Sequence, residues 1–126
     1  MEPIDGRPTI GRLGEDAALG EYQRRGYRLI ARNWSCRLGE IDLVMARESL
    51  LVVCEVKSRR GNGLGGPYEA VTTRKQEKLR RLAQAFLLSE SRAAARLGAL
   101  DVRFDVASVT VRDGGEALVH LYEDAF

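Results

Sequence analysis

Asp42, Glu55 and Lys57 are the residues whose types and spacing best suit chemistry on a phosphodiester. They lie in the run GEIDLVMARESLLVVCEVK, residues 39 to 57, and a short hairpin would gather them on one patch of sheet. Carboxylates directly opposed across a sheet repel unless something neutralises them. A divalent cation is the simplest neutraliser. Mg²⁺ or Mn²⁺ takes oxygen ligands, keeps several waters, and is commonly held by one or two carboxylates plus substrate phosphate oxygens. Lys57, on the same face as Glu55, would orient or deprotonate an attacking water, or stabilise charge developing on the phosphorane. The same charges also suit a salt-bridge cluster at a solvated sheet end, and composition alone favours that plainer arrangement.

The elements that must position these groups follow from patterning. Residues 40 to 46 and 50 to 57 are rich in Ile, Val and Leu, and Arg47-Glu48-Ser49 between them is a turn. With Glu48-Ser49 as a two-residue loop, Asp42 faces Glu55, Glu40 faces Lys57 and Leu43 faces Cys54. One face is then wholly apolar (Ile41, Leu43, Met45, Val52, Cys54, Val56), and the other is apolar near the turn and charged at the open end. A one-residue slip would mix charge into both faces.

Residues 12 to 25 predict a helix ended by Gly26. Its inward stripe is Gly11, Glu15, Ala18, Leu19, Tyr22 and Gly26, so Glu15 shares the buried face. A carboxylate there needs a partner or a cation. Glu15 is a candidate third metal ligand, or it pairs with an inward base such as Lys57 or Lys75. A strand is expected at 27 to 33. A second helix starts with Thr72 or Thr73 as cap, Gln76 completing a capping box from Thr73, and runs to about Ser89. Its apolar stripe is Leu79, Leu82, Ala83 and Phe86, and one turn earlier that stripe reaches Lys75. A lysine at a helix N-terminus opposes the dipole unless a phosphate or carboxylate sits there; otherwise it snorkels past the helix edge.

Net charge is only +2, but it is unevenly spread. From Lys57 to Arg81 there are eight Lys or Arg against Glu69 and Glu77, and from Tyr22 to Arg37 five Arg and no acid. These stretches bracket the carboxylates and predict a nucleic-acid backbone tracked across the site, with Arg32, Arg59, Arg60, Arg74, Lys75, Lys78 and Arg81 as phosphate contacts. The bland alternative is a solvated helix face and a basic loop. The glycine-rich stretch 58 to 67 predicts a flexible exposed loop that clamps substrate. Its formal G-x-G-x-x-G is discounted, because Pro67-Tyr68-Glu69 intervenes before any helix.

Residues 91 to 100 are weakly patterned. Residues 101 to 112 alternate as a strand, with Val102, Phe104 and Val106 on one side and Arg103 and Asp105 on the other, expected to make ion pairs at the sheet edge. Asp113-Gly114-Gly115 turns into a last strand at 117 to 122. His120 is the sole histidine, and it has no zinc-like spacing with Cys36 or Cys54, which read as reduced thiols. At 126 residues and 44% hydrophobic, the chain supports a single domain, with residues 1 to 10 as a flexible tail. No membrane-length apolar run or signal-peptide h-region is present, so cytoplasmic residence is the default expectation.

Asp42 followed by Glu55-Val56-Lys57 resembles the Asp…Glu-x-Lys core of the restriction-endonuclease-like, PD-(D/E)XK, nuclease superfamily, without its Pro and with Ile41 before the Asp. Together with Gly14-Glu15-x-x-Ala18, Gly26-Tyr27, Arg32-Asn33, Gly39-Glu40-Ile41-Asp42-Leu43, Glu55-Val56-Lys57-Ser58-Arg59, Ala70-Val71 with Lys75, and Arg103-Phe104-Asp105-Val106, it resembles the bacterial YraN-like family. That family is regarded as distantly related to archaeal Holliday-junction resolvases. The resemblance implies a metal-dependent endonuclease on DNA, possible action on branched substrates, and catalytic roles for Asp42, Glu55, Lys57, Glu15 and Lys75. The element order α-β-β-β-α-β-β predicts an α/β sandwich, a mixed central sheet with the helices packed against it, and parallel pairing of the 50 to 57 and 101 to 112 strands across the second helix. Two other classes remain: a nucleic-acid-binding protein that keeps the nuclease fold without cleaving, and a small-molecule or protein-interaction domain with a structural carboxylate cluster. Cutting both strands of a duplex with so small a domain would require a homodimer.

Overall fold

Two amphipathic periods and five strand-like runs form as the patterning requires. The computed structural model describes residues 9–61, 71–89 and 101–126. Along the chain lie α1 (Ile10–Arg24), β1 (Arg28–Cys36), β2 (Gly39–Arg47), β3 (Leu50–Arg60), α2 (Thr73–Ser89), β4 (Asp101–Val111) and β5 (Ala117–Tyr122). The expected tail up to residue 8, the glycine-rich connection from residue 62 and the 91–100 stretch lie outside the described residues.

Several boundaries move. Thr9 and Ile10 belong to the helix start rather than to the tail, because Thr9 Oγ1 accepts from the Arg12 amide at 3.1 Å and caps α1. Ser58, Arg59 and Arg60 continue β3 rather than opening the loop, since the ladder to β4 runs on to Arg60 opposite Val111. At the far end of α1, Gly26 adopts φ +89°. Its amide bonds to Gln23 O and that of Tyr27 to Tyr22 O, both at 3.0 Å, which satisfies the last carbonyls of the helix. The capping turn brings the Tyr22 and Tyr27 rings edge to face at 5.3 Å. In α2 the cap is Thr72, whose Oγ1 accepts from the Lys75 amide at 3.2 Å. Gln76 does not form the expected box with Thr73, because its side-chain amide donates to the Val71 carbonyl at 2.9 Å.

The sheet order is β1-β2-β3-β4-β5, with β3 and β4 parallel across the α2 crossover and the other pairs antiparallel. Glu48-Ser49 is the two-residue loop, and Leu43 faces Cys54 as the apolar pattern requires. Alternation divides the core into two layers. Ala18 and Tyr22 of α1 pack on Leu43, Met45, Val52, Cys54, Ala107 and Val109; Leu79, Leu82, Ala83 and Phe86 of α2 pack on Val44, Ala46, Leu51, Val53 and Val106. The helices therefore cover opposite faces of one mixed sheet, an α/β/α sandwich. No helix among the described residues is long and apolar enough to cross a membrane.

Two side-chain placements differ from the pattern. Ile41 packs with Val44 in the α2 layer instead of with Leu43 in the α1 layer. Opposite this point Asn33 of β1 takes a left-handed φ of +52°, and the Asn33/Asp42 step is missing from the β1–β2 register, so strict alternation is broken there. The Arg103–Asp105 ion pair forms, but in the interior rather than at an edge, because past the end of the β5 ladder at Val106 the Tyr22 hydroxyl and the Asp124 amide close over the carboxylate.

Gly14 lets α1 settle onto β3: a Cβ there would sit 1.7 Å from Ser58 Oγ and 2.7 Å from Ser58 Cβ. Gly14→Ala should cost about 1–2 kcal/mol net, overpacking outweighing the gain in helix propensity. In denaturant melts, Gly14→Ala with Ser58→Gly should recover most of that loss; equal destabilisation of the single and double variants would refute the contact.

Candidate functional site

Beyond Leu43 and Cys54 the β2–β3 ladder stops, although β2 stays paired with β1 as far as Gly39 opposite Cys36. The β1–β2 hairpin thus parts from β3 at the charged end of the sheet. The expected Asp42/Glu55 and Glu40/Lys57 cross-strand pairs do not form. Asp42 Oδ2 instead accepts the Val56 amide at 2.8 Å, so a side-chain bond ends the ladder where opposed carboxylates would have repelled each other.

The first turns of α2 cover this cleft. Glu40, Asp42, Glu55, Lys75 and Lys78, floored by Leu79 and Leu82, line a pocket of about 120 Å³. Glu55 is 14% exposed and its Oε1 pairs with the Lys75 ammonium, which places Lys75 against the sheet as its helical stripe implied. Glu55 Oε2 is buried and has no hydrogen-bond partner among the described residues. Asp42 is pushed up to about 6, first by burial and then by the charges of Glu15, Glu55 and Glu40, against the opposing Val56 amide bond. Lys57 is half-buried, lies by alternation on the face of Val53 and Glu55, and makes no ion pair among the described residues.

Two hollows flank the pocket, one mainly basic and one of mixed charge. On one side a groove of about 500 Å³ runs along α2 past Arg74, Lys75, Lys78 and Arg81 and shares Lys75 and Lys78 with the acidic pocket. The Lys78 chain crosses Gly39, whose φ is +145° and where a Cβ would lie 2.9 Å from Lys78 Cε. On the other side a hollow of about 470 Å³ is lined by Arg12, Glu15, Arg32 and Asn33 and meets the pocket at Glu40. Arg59 and Arg60 are exposed at the end of β3.

Glu15 is turned inward as its stripe predicts, and its partner is neither Lys57 nor Lys75. Arg32 Nε meets Glu15 Oε1 at 3.2 Å, and the same guanidinium contacts Asp16 Oδ1 at 2.7 Å and the Arg12 carbonyl at 3.3 Å. Three acceptors therefore already engage Arg32, one of the expected phosphate contacts. Among the described residues no three His, Cys, Asp or Glu side chains converge as a ready metal cage. The carboxylates lining the cleft are Glu40, Asp42 and Glu55, and the charge of Glu15 helps to raise Asp42. Glu40 lines both hollows and was not among the expected site residues, yet its i, i+2 spacing from Asp42 along β2 was the available signal.

Comparison with known proteins agrees over nearly the whole chain. Residues 14–109 match the model of Uncharacterised protein family UPF0102. A UPF0102 protein of Acidothermus cellulolyticus is 42% identical over 127 residues, 95% of each chain. One from Herpetosiphon aurantiacus is 41% identical over 92% of this chain and 93% of its own, and one from Pelotomaculum thermopropionicum is 37% identical over 97% and 98%. With a family match over residues 14–109 and relatives at this identity over more than nine-tenths of each chain, the chain belongs to the UPF0102 family, the YraN-like group that its motifs resemble.

Proposed function

We propose that this protein is a metal-dependent endonuclease, or a nuclease-related DNA-processing protein, that acts on phosphodiester bonds at the cleft between β2 and β3. One observation carries the reading: a pocket holding Asp42 and Glu55, with a buried Glu55 oxygen unpartnered among the described residues, shares Lys75 and Lys78 with a groove whose lining is four bases, Arg74, Lys75, Lys78 and Arg81, against one acid, Glu77. Acid at the centre and base along the approach suit a polyanion whose phosphate must meet a cation.

The residues present fit a hard divalent ion. Glu55 offers an oxygen with no hydrogen-bond partner among the described residues, and Asp42 carries an electrostatic penalty that a cation would relieve. Asp42 and Glu55 would hold Mg²⁺ or Mn²⁺, with Glu15 contributing through water. Such an ion, when bound, supplies Lewis acidity to the scissile phosphate. Lys57 then positions the attacking water and answers charge on the phosphorane. Lys75, Lys78, Arg74 and Arg81 hold the phosphates on either side of the break, and exposed Arg59 and Arg60 extend the contact. One cleft cuts one strand, so a double-strand break would take two copies.

The test is incubation of linear, flapped and four-way-junction DNA with Mg²⁺ or Mn²⁺ and with chelator. Cleavage that chelator stops supports the reading. Salt-sensitive binding without cleavage, indifferent to chelator, selects the non-catalytic nucleic-acid-binding alternative; absence of any salt-dependent binding rejects both. Lys57→Ala should lower cleavage by about 100-fold or more while DNA affinity changes little, and a Lys57→Ala protein that cleaves at the wild-type rate ends the role given to Lys57.

A further inference from the structure

Lys75 belongs to two environments. Its ammonium pairs with Glu55 Oε1, while its side chain lines both the acidic pocket and the basic groove. The two ends of the pair differ in exposure: Glu55 is 14% exposed and Lys75 is 48% exposed. The carboxylate is therefore fixed in the sheet, and the lysine reaches it from a solvent-facing helix turn on a flexible four-carbon stem. Lys78 lines the same two hollows but makes no ion pair among the described residues.

We propose that Lys75 is a displaceable internal counter-ion, which holds Glu55 when nucleic acid is absent and passes to a backbone phosphate in the groove when nucleic acid arrives, leaving Glu55 to a divalent cation. This regulation rests on the proposed reading of the cleft as a metal site. Its physical basis is an exchange of partners. The ammonium leaves one anion for another of the same sign, so the move replaces a partly exposed ion pair without stranding a buried charge. Without the phosphate, a metal ion has to compete with a tethered cation for Glu55. With it, the competitor is engaged elsewhere. Reciprocity of linkage then requires that metal and nucleic acid strengthen each other's binding by the same factor. The site is thereby armed by its substrate, and the free protein holds metal weakly.

Mn²⁺ binding, read from the free-ion signal in electron paramagnetic resonance, tests this with and without a short DNA duplex. All proteins carry Lys57→Ala so that the duplex stays intact. With Lys75 present, duplex should tighten Mn²⁺ binding about tenfold, within the usual range of coupling between sites. Adding Lys75→Gln should tighten duplex-free Mn²⁺ binding by about the same factor and reduce the gain from duplex to about twofold or less. Lys78→Gln removes a charge from the same pocket and a phosphate contact; it should need more duplex to saturate, and at saturation should retain the duplex-dependent gain in Mn²⁺ binding. Equal behaviour of the Lys75 and Lys78 variants would make Lys75 one positive charge among several and overturn the proposal. Mn²⁺ binding unchanged by Lys75→Gln would also overturn it while leaving the metal site standing. No Mn²⁺ binding by any of the proteins would overturn both.

Discussion

Asp42→Asn is expected to abolish metal-dependent cleavage and, in chelator at pH 8, to raise the melting temperature. Both effects have one cause. Burial, followed by Glu15, Glu55 and Glu40, pushes the Asp42 carboxyl up from 3.8 to about 6. A folded-state value above the unfolded one means that the fold disfavours the ionised form. The penalty is absent below about pH 4, grows as pH rises through the window from 3.8 to about 6, and persists at its full value above it. A shift of that size corresponds to at most about 3 kcal/mol, and solvent screening of a partly exposed carboxyl reduces it to about 1–2 kcal/mol. Asparagine keeps an oxygen for the Val56 amide and carries no charge, so the metal-free variant should melt roughly 4–8 °C higher at pH 8, with the difference closing by pH 4.

Divalent ion should reverse that order. Wild type gains stability from binding, about 2.7 kcal/mol at a hundredfold excess over the dissociation constant, whereas the Asn variant lacks one of the two carboxylates and gains little. Cleavage should fall by about 100-fold or more, since disturbing groups that merely support metal ligands already costs about 10–100-fold. Scanning calorimetry at pH 4 and pH 8, with chelator and with Mg²⁺, checks the sign and the window. An Asn variant less stable than wild type at pH 8 in chelator would show that Asp42 is held by attraction, and the cleft would not be short of a cation.

The hairpin that carries Asp42 was legible because only one register gives a continuous apolar face, and Leu43 opposite Cys54 follows from it. Its parting from β3 was not legible. Alternation reports which face a residue takes while a ladder lasts, and the ladder ends through events in other strands: the left-handed Asn33 of β1 and the amide of Val56 that takes the Asp42 carboxylate. The inward turn of Glu15 was set by helical spacing, yet its partner Arg32 comes from β1, a contact that exists only once α1 has docked. Lys75 was placed by extending its stripe one turn, and the carboxylate it needed is Glu55. Asp105 was given the correct face and the wrong depth. Its depth was not legible, because the β5 ladder ends at Val106 and what covers Asp105 is the Tyr22 hydroxyl from α1 and the Asp124 amide from the turn after β5.

That depth makes Asp105→Ala the most destabilising single change expected away from the cleft. Asp105 is 1% exposed and its carboxylate is fully engaged. Arg103 grips both oxygens at 2.8 Å, Tyr22 donates its hydroxyl to Oδ2 at 2.7 Å, and the Asp124 amide donates to Oδ1 at 3.0 Å. The guanidinium also donates to Tyr27 Oη at 3.0 Å and reaches Glu123 at 3.7 Å, so one buried carboxylate joins the end of α1, β4 and the turn after β5. Its hydrogen bonds raise Arg103 above the ordinary guanidinium range, and burial, with Cys54 and Asp105 nearby, raises Tyr22, so the proton stays on the phenol and points at the carboxylate. Alanine would leave a mostly buried guanidinium without its main partner and a buried hydroxyl without an acceptor. Breaking a buried pair in this way costs about 3–5 kcal/mol, or roughly 10–20 °C in melting temperature for a domain of this size. Arg103→Met in the Asp105→Ala background should recover part of the loss, because the stranded cation goes with it, whereas Tyr22→Phe alone should cost about 1–2 kcal/mol. A loss below about 1 kcal/mol for Asp105→Ala in urea melts would mean that solvent reaches Arg103 freely once the carboxylate is gone. Because none of these groups lines the cleft, the folded Asp105→Ala protein should match wild type in assays of Mn²⁺ and DNA binding, whatever wild type shows there, which separates loss of the interior network from loss of the site.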